Sequence, residues 1–172
     1  GSLYVMVHHA LSRYSGRHET APRRVAASKA IIKKLEQEFD ERPYILLGDF
    51  NDNPDDASLN ILETGSPDSP AQMENNQGQF LVNLTEILVQ DDHVSHGLKS
   101  NAVNGNYINT FDPGSRQRNF DHRHDNSHTG DILFDQILVP HSVYSDYVLG
   151  SVAVFNRPCA VDGNDFNRAS DH

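Results

Sequence analysis

The residues best suited to chemistry stand at the end of an apolar run. Tyr44-Ile45-Leu46-Leu47 leads directly into Gly48-Asp49-Phe50-Asn51-Asp52-Asn53-Pro54. Such a run is consistent with a buried strand. Side chains alternate along an extended strand, so Asp49 and Asn51 should share one face while Phe50 packs into the core. A carboxylate beside a carboxamide suits a hard divalent cation and a phosphate: the acid holds or orients the metal, and the neutral amide bonds a phosphoryl oxygen without adding charge. A strand entering an Asx-type turn, with Asn53-Pro54 as punctuation, explains the same residues. This stretch alone does not separate the two.

The remaining chain favours chemistry. His9 closes an apolar strand, Asp135 lies within Ile132–Val139, and Ser170-Asp171-His172 ends the sequence. A carboxylate in an apolar strand is costly without a special partner. Adjacent His8 and His9 point to opposite faces of their strand, so only one is expected at a site. Arg13 follows that strand and either reaches a phosphate or is solvated.

In order, these motifs resemble the later motifs of the endonuclease/exonuclease/phosphatase superfamily, the fold of pancreatic deoxyribonuclease. Val7-His8-His9-Ala10-Leu11-Ser12-Arg13-Tyr14-Ser15-Gly16 is similar to a strand-end motif of some bacterial members, Asn-His-Trp-Pro-Ser-Arg, with His8, Ala10 and Leu11 replacing Asn, Trp and Pro. The resemblance implies a DNase I-like four-layer α/β sandwich, incomplete here. The N-terminal strands, carrying an Asn and a metal-binding Glu, and the last strand are expected outside this chain. Glu19, Glu41, Glu63 and Glu86 do not follow an apolar strand in the required order, so none is assigned that role.

By the same resemblance Asp171, with the missing Glu, holds the metal, and Asp49 supports it. Asp49 and Asn51 orient water and phosphate. His172 is the general base or a phosphate-stabilising cation, with Asp135 fixing its tautomer. His9 is a second phosphate contact or a general acid. The implied activity is metal-dependent hydrolysis of phosphate esters, foremost by a phosphodiesterase or nuclease. A phosphomonoesterase, a phospholipid-headgroup hydrolase and a catalytically incomplete binding fragment are the alternatives. Oxygen ligands favour Mg2+, Mn2+ or Ca2+ over zinc.

Length and charge bound this reading. The 172 residues suit one domain, taken as 1–172 and partial. A net charge of −10 opposes an extensive basic grip on nucleic acid. It leaves room for an enzyme that meets a phosphate ester, nucleic acid included, through a metal and a few arginines. Cys159 is the only cysteine, so no internal disulfide forms, and secreted and cytoplasmic settings both stay open. No apolar run reaches the ~20 residues of a membrane-spanning helix.

The elements that must position these residues follow from periodicity. Leu3–His9 reads as a strand covered on both faces, and Arg23–Phe39 as a crossover helix opened by Pro22 and capped by Thr20. Val25, Ile32, Leu35 and Phe39 supply its apolar stripe. Asp55–Leu62 reads as a short helix, Gly65–Gly78 as a loop, and Phe80–Val89 as a helix or irregular core segment. Asp91–Asn106 is loop-like, Tyr107–Pro113 a short strand, and Gly114–Gly130, with His122, His124 and His128, a surface loop rather than a zinc site. Ile132–Val139 and Val148–Phe155 read as core strands.

Overall fold

The computed structural model describes residues 1–13, 17–40, 42–54, 56–65, 80–90, 95, 102–103, 106–107 and 133–154. Strand β1 (Tyr4–His9) leads through helix α1 (Arg17–Glu38) to β2 (Tyr44–Asp49), and the two strands pair in parallel. This is the expected strand–helix–strand unit. Helix α2 (Ala57–Thr64) follows, then β3 (Val82–Asn83) and α3 (Glu86–Gln90). A two-stranded pair, β4 (Ala102–Val103) and β5 (Asn106–Tyr107), precedes β6 (Asp135–Val139) and α4 (His141–Tyr144). The main sheet has the order β1-β2-β6-β3, with β6 antiparallel to both neighbours. The fold is thus a mixed α/β sheet.

Alternation decides which side of the sheet is filled. Met6 of β1, Tyr44 and Leu46 of β2, and Leu138 of β6 turn to one face, where Leu35 of α1 and Leu59 and Leu62 of α2 meet them. Phe50, Leu81, Ile31, Ile32 and Phe39 complete this core. Leu59, Leu62 and Leu138 are fully buried, each stabilising by roughly 1.5–3 kcal/mol. The opposite face differs from expectation. Val5 and Val7 are 59% and 77% exposed, so β1 is covered on one face rather than two. Its apolar run reports hydrophobicity, not which of its faces is covered.

Other boundaries also moved. Helix α1 starts at Arg17, with Pro22 inside it and Thr20 in its first turn rather than at a cap. The Thr20 hydroxyl accepts a hydrogen bond at 2.7 Å from the buried Arg24 guanidinium one turn on, and Arg24 ties this first part of the helix to Asp52 and the Leu11 carbonyl. Phe80–Val89 resolves into β3 and α3 joined by a turn. Within Asp91–Asn106 the pair β4–β5 begins. In β6 Asp135 opens the strand instead of lying inside it. No core strand runs over the described part of Val148–Phe155: Val148 and Leu149 are 71% and 87% exposed, and Gly150 turns the chain with φ 77°. Most of Gly65–Gly78, all of Gly114–Gly130, and residues beyond Tyr107 in Tyr107–Pro113 lie outside the described residues.

Two measurements follow. Val7→Lys should reduce light scattering by the 172-residue chain, because the uncovered apolar face favours association. Burial pushes the Tyr44 hydroxyl up to about 12 from 10.0. A group with a raised folded-state pKa stabilises fully below its unfolded value, and that stability is lost as pH rises through the folded one. Stability should therefore fall between pH 10 and about 12, and Tyr44→Phe should flatten this part of the alkaline denaturation curve.

Candidate active site at the strand ends

The two parallel strands finish side by side, with His9 opposite Asp49. The antiparallel β6 begins there, placing Asp135 opposite Asp49 on its other side. Three strands therefore deliver an imidazole and two carboxylates to one end of the sheet. His9 Nε2 lies 3.4 Å from Asp49 Oδ2, and the imidazole is largely exposed. His8 falls on the core side, its ring 5.0 Å from that of Phe50. Burial, then the charge of neighbouring His9, lowers the His8 pKa, while Asp49 opposes the shift. Asp171 and His172 lie outside the described residues.

Asn51 joins this group by a route other than strand alternation. The strand stops at Asp49, and Asn51 adopts φ 52°, a left-handed conformation that Asn tolerates better than most residues. Its N–H donates to Asp49 Oδ1 at 2.8 Å, closing an Asx-type turn. Its Nδ2 donates to Asp49 Oδ2 at 3.0 Å and to the Ala10 carbonyl at 3.2 Å. The turn and the clustering of polar groups are one structure. Gly48 permits it: with φ 137°, a Cβ there would collide with the His8 carbonyl.

Beneath the site lies a charged cluster that the sequence did not reveal. Arg13 is 1% exposed, so it is not a solvated loop residue, and a substrate phosphate cannot reach it. Its Nε donates to the Asn51 carbonyl at 2.6 Å, and its Nη2 to Asp56 Oδ2 at 2.6 Å. Nη2 also lies 3.2 Å from Asp52 Oδ1. Arg24 Nε sits 2.7 Å from Asp52 Oδ2, which also accepts from Ser58 Oγ at 2.5 Å. Gln136 links this turn to the sheet: its Nε2 donates to the Asp52 and Leu133 carbonyls, and its Oε1 accepts from Asn83 Nδ2 and Thr85 Oγ1. Ser95 Oγ accepts from the amides of Phe134 and Asp135, both at 3.0 Å, fixing the start of β6. The acid-rich run Asp52-Asn53-Pro54-Asp55-Asp56 was the available signal, and it reads equally well as a turn.

Carboxylate oxygens match a hard cation in kind. Asp49 and Asp135 face the same end, yet no group of three His, Cys, Asp or Glu side chains able to hold a metal occurs among the described residues. Of the glutamates weighed from sequence, Glu63 is buried and its Oε1 accepts from the Asn83 amide at 3.2 Å. It supports β3.

A family model described as the Endonuclease/Exonuclease/phosphatase family matches residues 1–103. That is more than half of the 172 residues, and the chain belongs to this family. The matched segment holds His9, Asp49 and Asn51 but stops before Asp135. The family implies a DNase I-like fold, with which the mixed sheet agrees, and its members typically hydrolyse phosphoesters with divalent metals. Comparison with curated proteins and with solved structures gives no match.

The charged cluster supplies a direct test. Asp52→Asn leaves Arg13 and Arg24 short of a buried counter-charge, so unfolding free energy should drop by about 3–5 kcal/mol. Urea denaturation of the variant beside the wild type measures this.

Proposed function

We propose that this protein is a metal-dependent phosphodiesterase, with nucleic acid the first substrate class to test. The supporting observation is the meeting of His9, Asp49 and Asn51 at the strand ends, with Asp135 across the ladder, in a chain of this family. Phosphodiester hydrolysis needs an activated water, a neutralised phosphate and a proton for the leaving oxygen. Asp49 is held by the Asn51 amide and side chain, which aims its carboxylate to orient the water. Both Nδ2 hydrogens of Asn51 meet protein acceptors, so a phosphoryl oxygen would replace the Ala10 carbonyl, the longer contact. Exposed His9 contacts the phosphate or protonates the leaving oxygen. Asp135 fixes the tautomer of His172, the proposed base, and Asp171 is the proposed metal ligand beside Asp49.

Bound Mg2+, or Mn2+ or Ca2+ in its place, would neutralise the phosphate charge and relieve repulsion between Asp49 and Asp135. The uncovered face of Val5 and Val7 supports a second sheet packed there. That arrangement gives the four-layer sandwich, with the remaining strands contributed from outside this chain.

Asp49→Asn keeps the size and the turn-forming ability of the residue but removes its charge. Turnover should fall about a hundredfold or more. The melting temperature without metal should hold within a few degrees, because relieved repulsion near Asp135 offsets the bond from Asn51 Nδ2 that the new amide nitrogen cannot accept. Magnesium- or manganese-dependent cleavage of DNA, RNA and a simple phosphodiester measures the first, and thermal unfolding the second. Unchanged turnover on every substrate that the wild type cleaves would overturn the proposal.

A further inference from the structure

We propose that Arg13 is a positioning residue that holds the Asp49–Asn51 pair in its working geometry without touching substrate. The inference rests on the reading of that pair as catalytic. Three anchors meet on one guanidinium. Nε takes the Asn51 carbonyl at 2.6 Å, and Nη2 takes Asp56 Oδ2 at 2.6 Å, just before α2, and lies 3.2 Å from Asp52 Oδ1. The Phe134 ring lies 5.0 Å beneath the guanidinium carbon, and the Phe134 carbonyl receives the Phe50 amide at 2.8 Å. Arg13 thus fixes the turn after β2 against the residue that precedes Asp135.

The geometry requires an arginine. A planar fork can serve a carbonyl and a carboxylate at once while stacking on a ring, whereas an ammonium is a single point of charge. Asn51 departs from strand geometry at φ 52°, and its carbonyl is held by Arg13 while its N–H and Nδ2 hold Asp49. Releasing that carbonyl lets the turn relax, and Asp49 loses the donors that aim it. Arg24 is the internal control. It is equally buried at 1% exposure and also grips Asp52, but it donates to Thr20 Oγ1 and the Leu11 carbonyl where Arg13 donates to the Asn51 carbonyl.

Arg13→Lys and Arg24→Lys should be compared in the full-length protein with magnesium, at a temperature where both are folded. Arg13→Lys should lower kcat by about tenfold to a hundredfold at unchanged KM, the scale of a misplaced catalytic group. Arg24→Lys should lose melting temperature yet keep kcat within about threefold of wild type, since it aims no reacting group. Amide hydrogen exchange provides a readout free of substrate. The Asn51 N–H should exchange about tenfold faster in Arg13→Lys and not in Arg24→Lys. If Arg13→Lys does not fold, Phe134→Leu removes the stacking ring, keeps every charge paired, and should shift both readouts in the same direction.

Equal kcat losses in the two lysine variants, a rise in KM alone, or unchanged Asn51 exchange would overturn the positioning role. Loss of activity in Asp49→Asn with normal kcat in Arg13→Lys would sink this inference and leave the hydrolase reading standing. A wild-type protein that cleaves no phosphodiester would sink the hydrolase reading instead, and Asn51 exchange alone would then decide whether Arg13 holds the turn.

Discussion

Asp52 is the point on which the active end of the sheet rests. Its carboxylate is almost fully buried and is flanked by two guanidinium groups, also buried. Each of these charges would be prohibitive alone, so they are tolerated only together, and Asp56 supplies the second negative charge. That mutual requirement draws four pieces of chain to one place: the segment after β1, the second turn of α1, the turn after β2 and the start of α2. A group of this kind contributes less to net stability than to geometry, because an apolar replacement would avoid the desolvation cost. Within it Arg13, through the Asn51 carbonyl, fixes the path of residues 51–53 beneath Asp49.

The strand–helix–strand unit was legible because its signal is local. Apolar residues recur with the correct spacing; β1 and β2 formed where they were read, with α1 between them starting earlier than read. Errors arose where coverage or tertiary contact decides. Val148 and Leu149 are as apolar as any strand residue, yet they lie exposed beside Gly150. The start of α1 was read too late because Pro22 looks like a helix opening, and nothing local reveals that Arg24, which holds Thr20, is anchored on Asp52.

The candidate site shows the same division. His9, Asp49 and Asn51 stood out as polar residues at the edges of apolar runs, where strand ends expose functional groups, and Asp135 as an acid inside such a run. The contact that brings Asn51 back to Asp49 was not visible, since it depends on one positive φ angle. Arg13 was misjudged for a related reason. An arginine in a polar loop is ordinarily solvated, and only the fold shows acids at residues 52 and 56 waiting beneath it.

Gln136 carries a consequence for the pairing of β2 with β6. Its two donors and its acceptor oxygen are all engaged, on partners that lie on either side of it. Sliding β6 by one residue would carry this amide to the half-open face and strand its partners, while Asp135 would rotate inward. A buried neutral amide therefore acts as a slippage lock for the carboxylate next to it. The facing of Asp135 toward Asp49 is enforced one position away, by a side chain that carries no charge and lies on the opposite face.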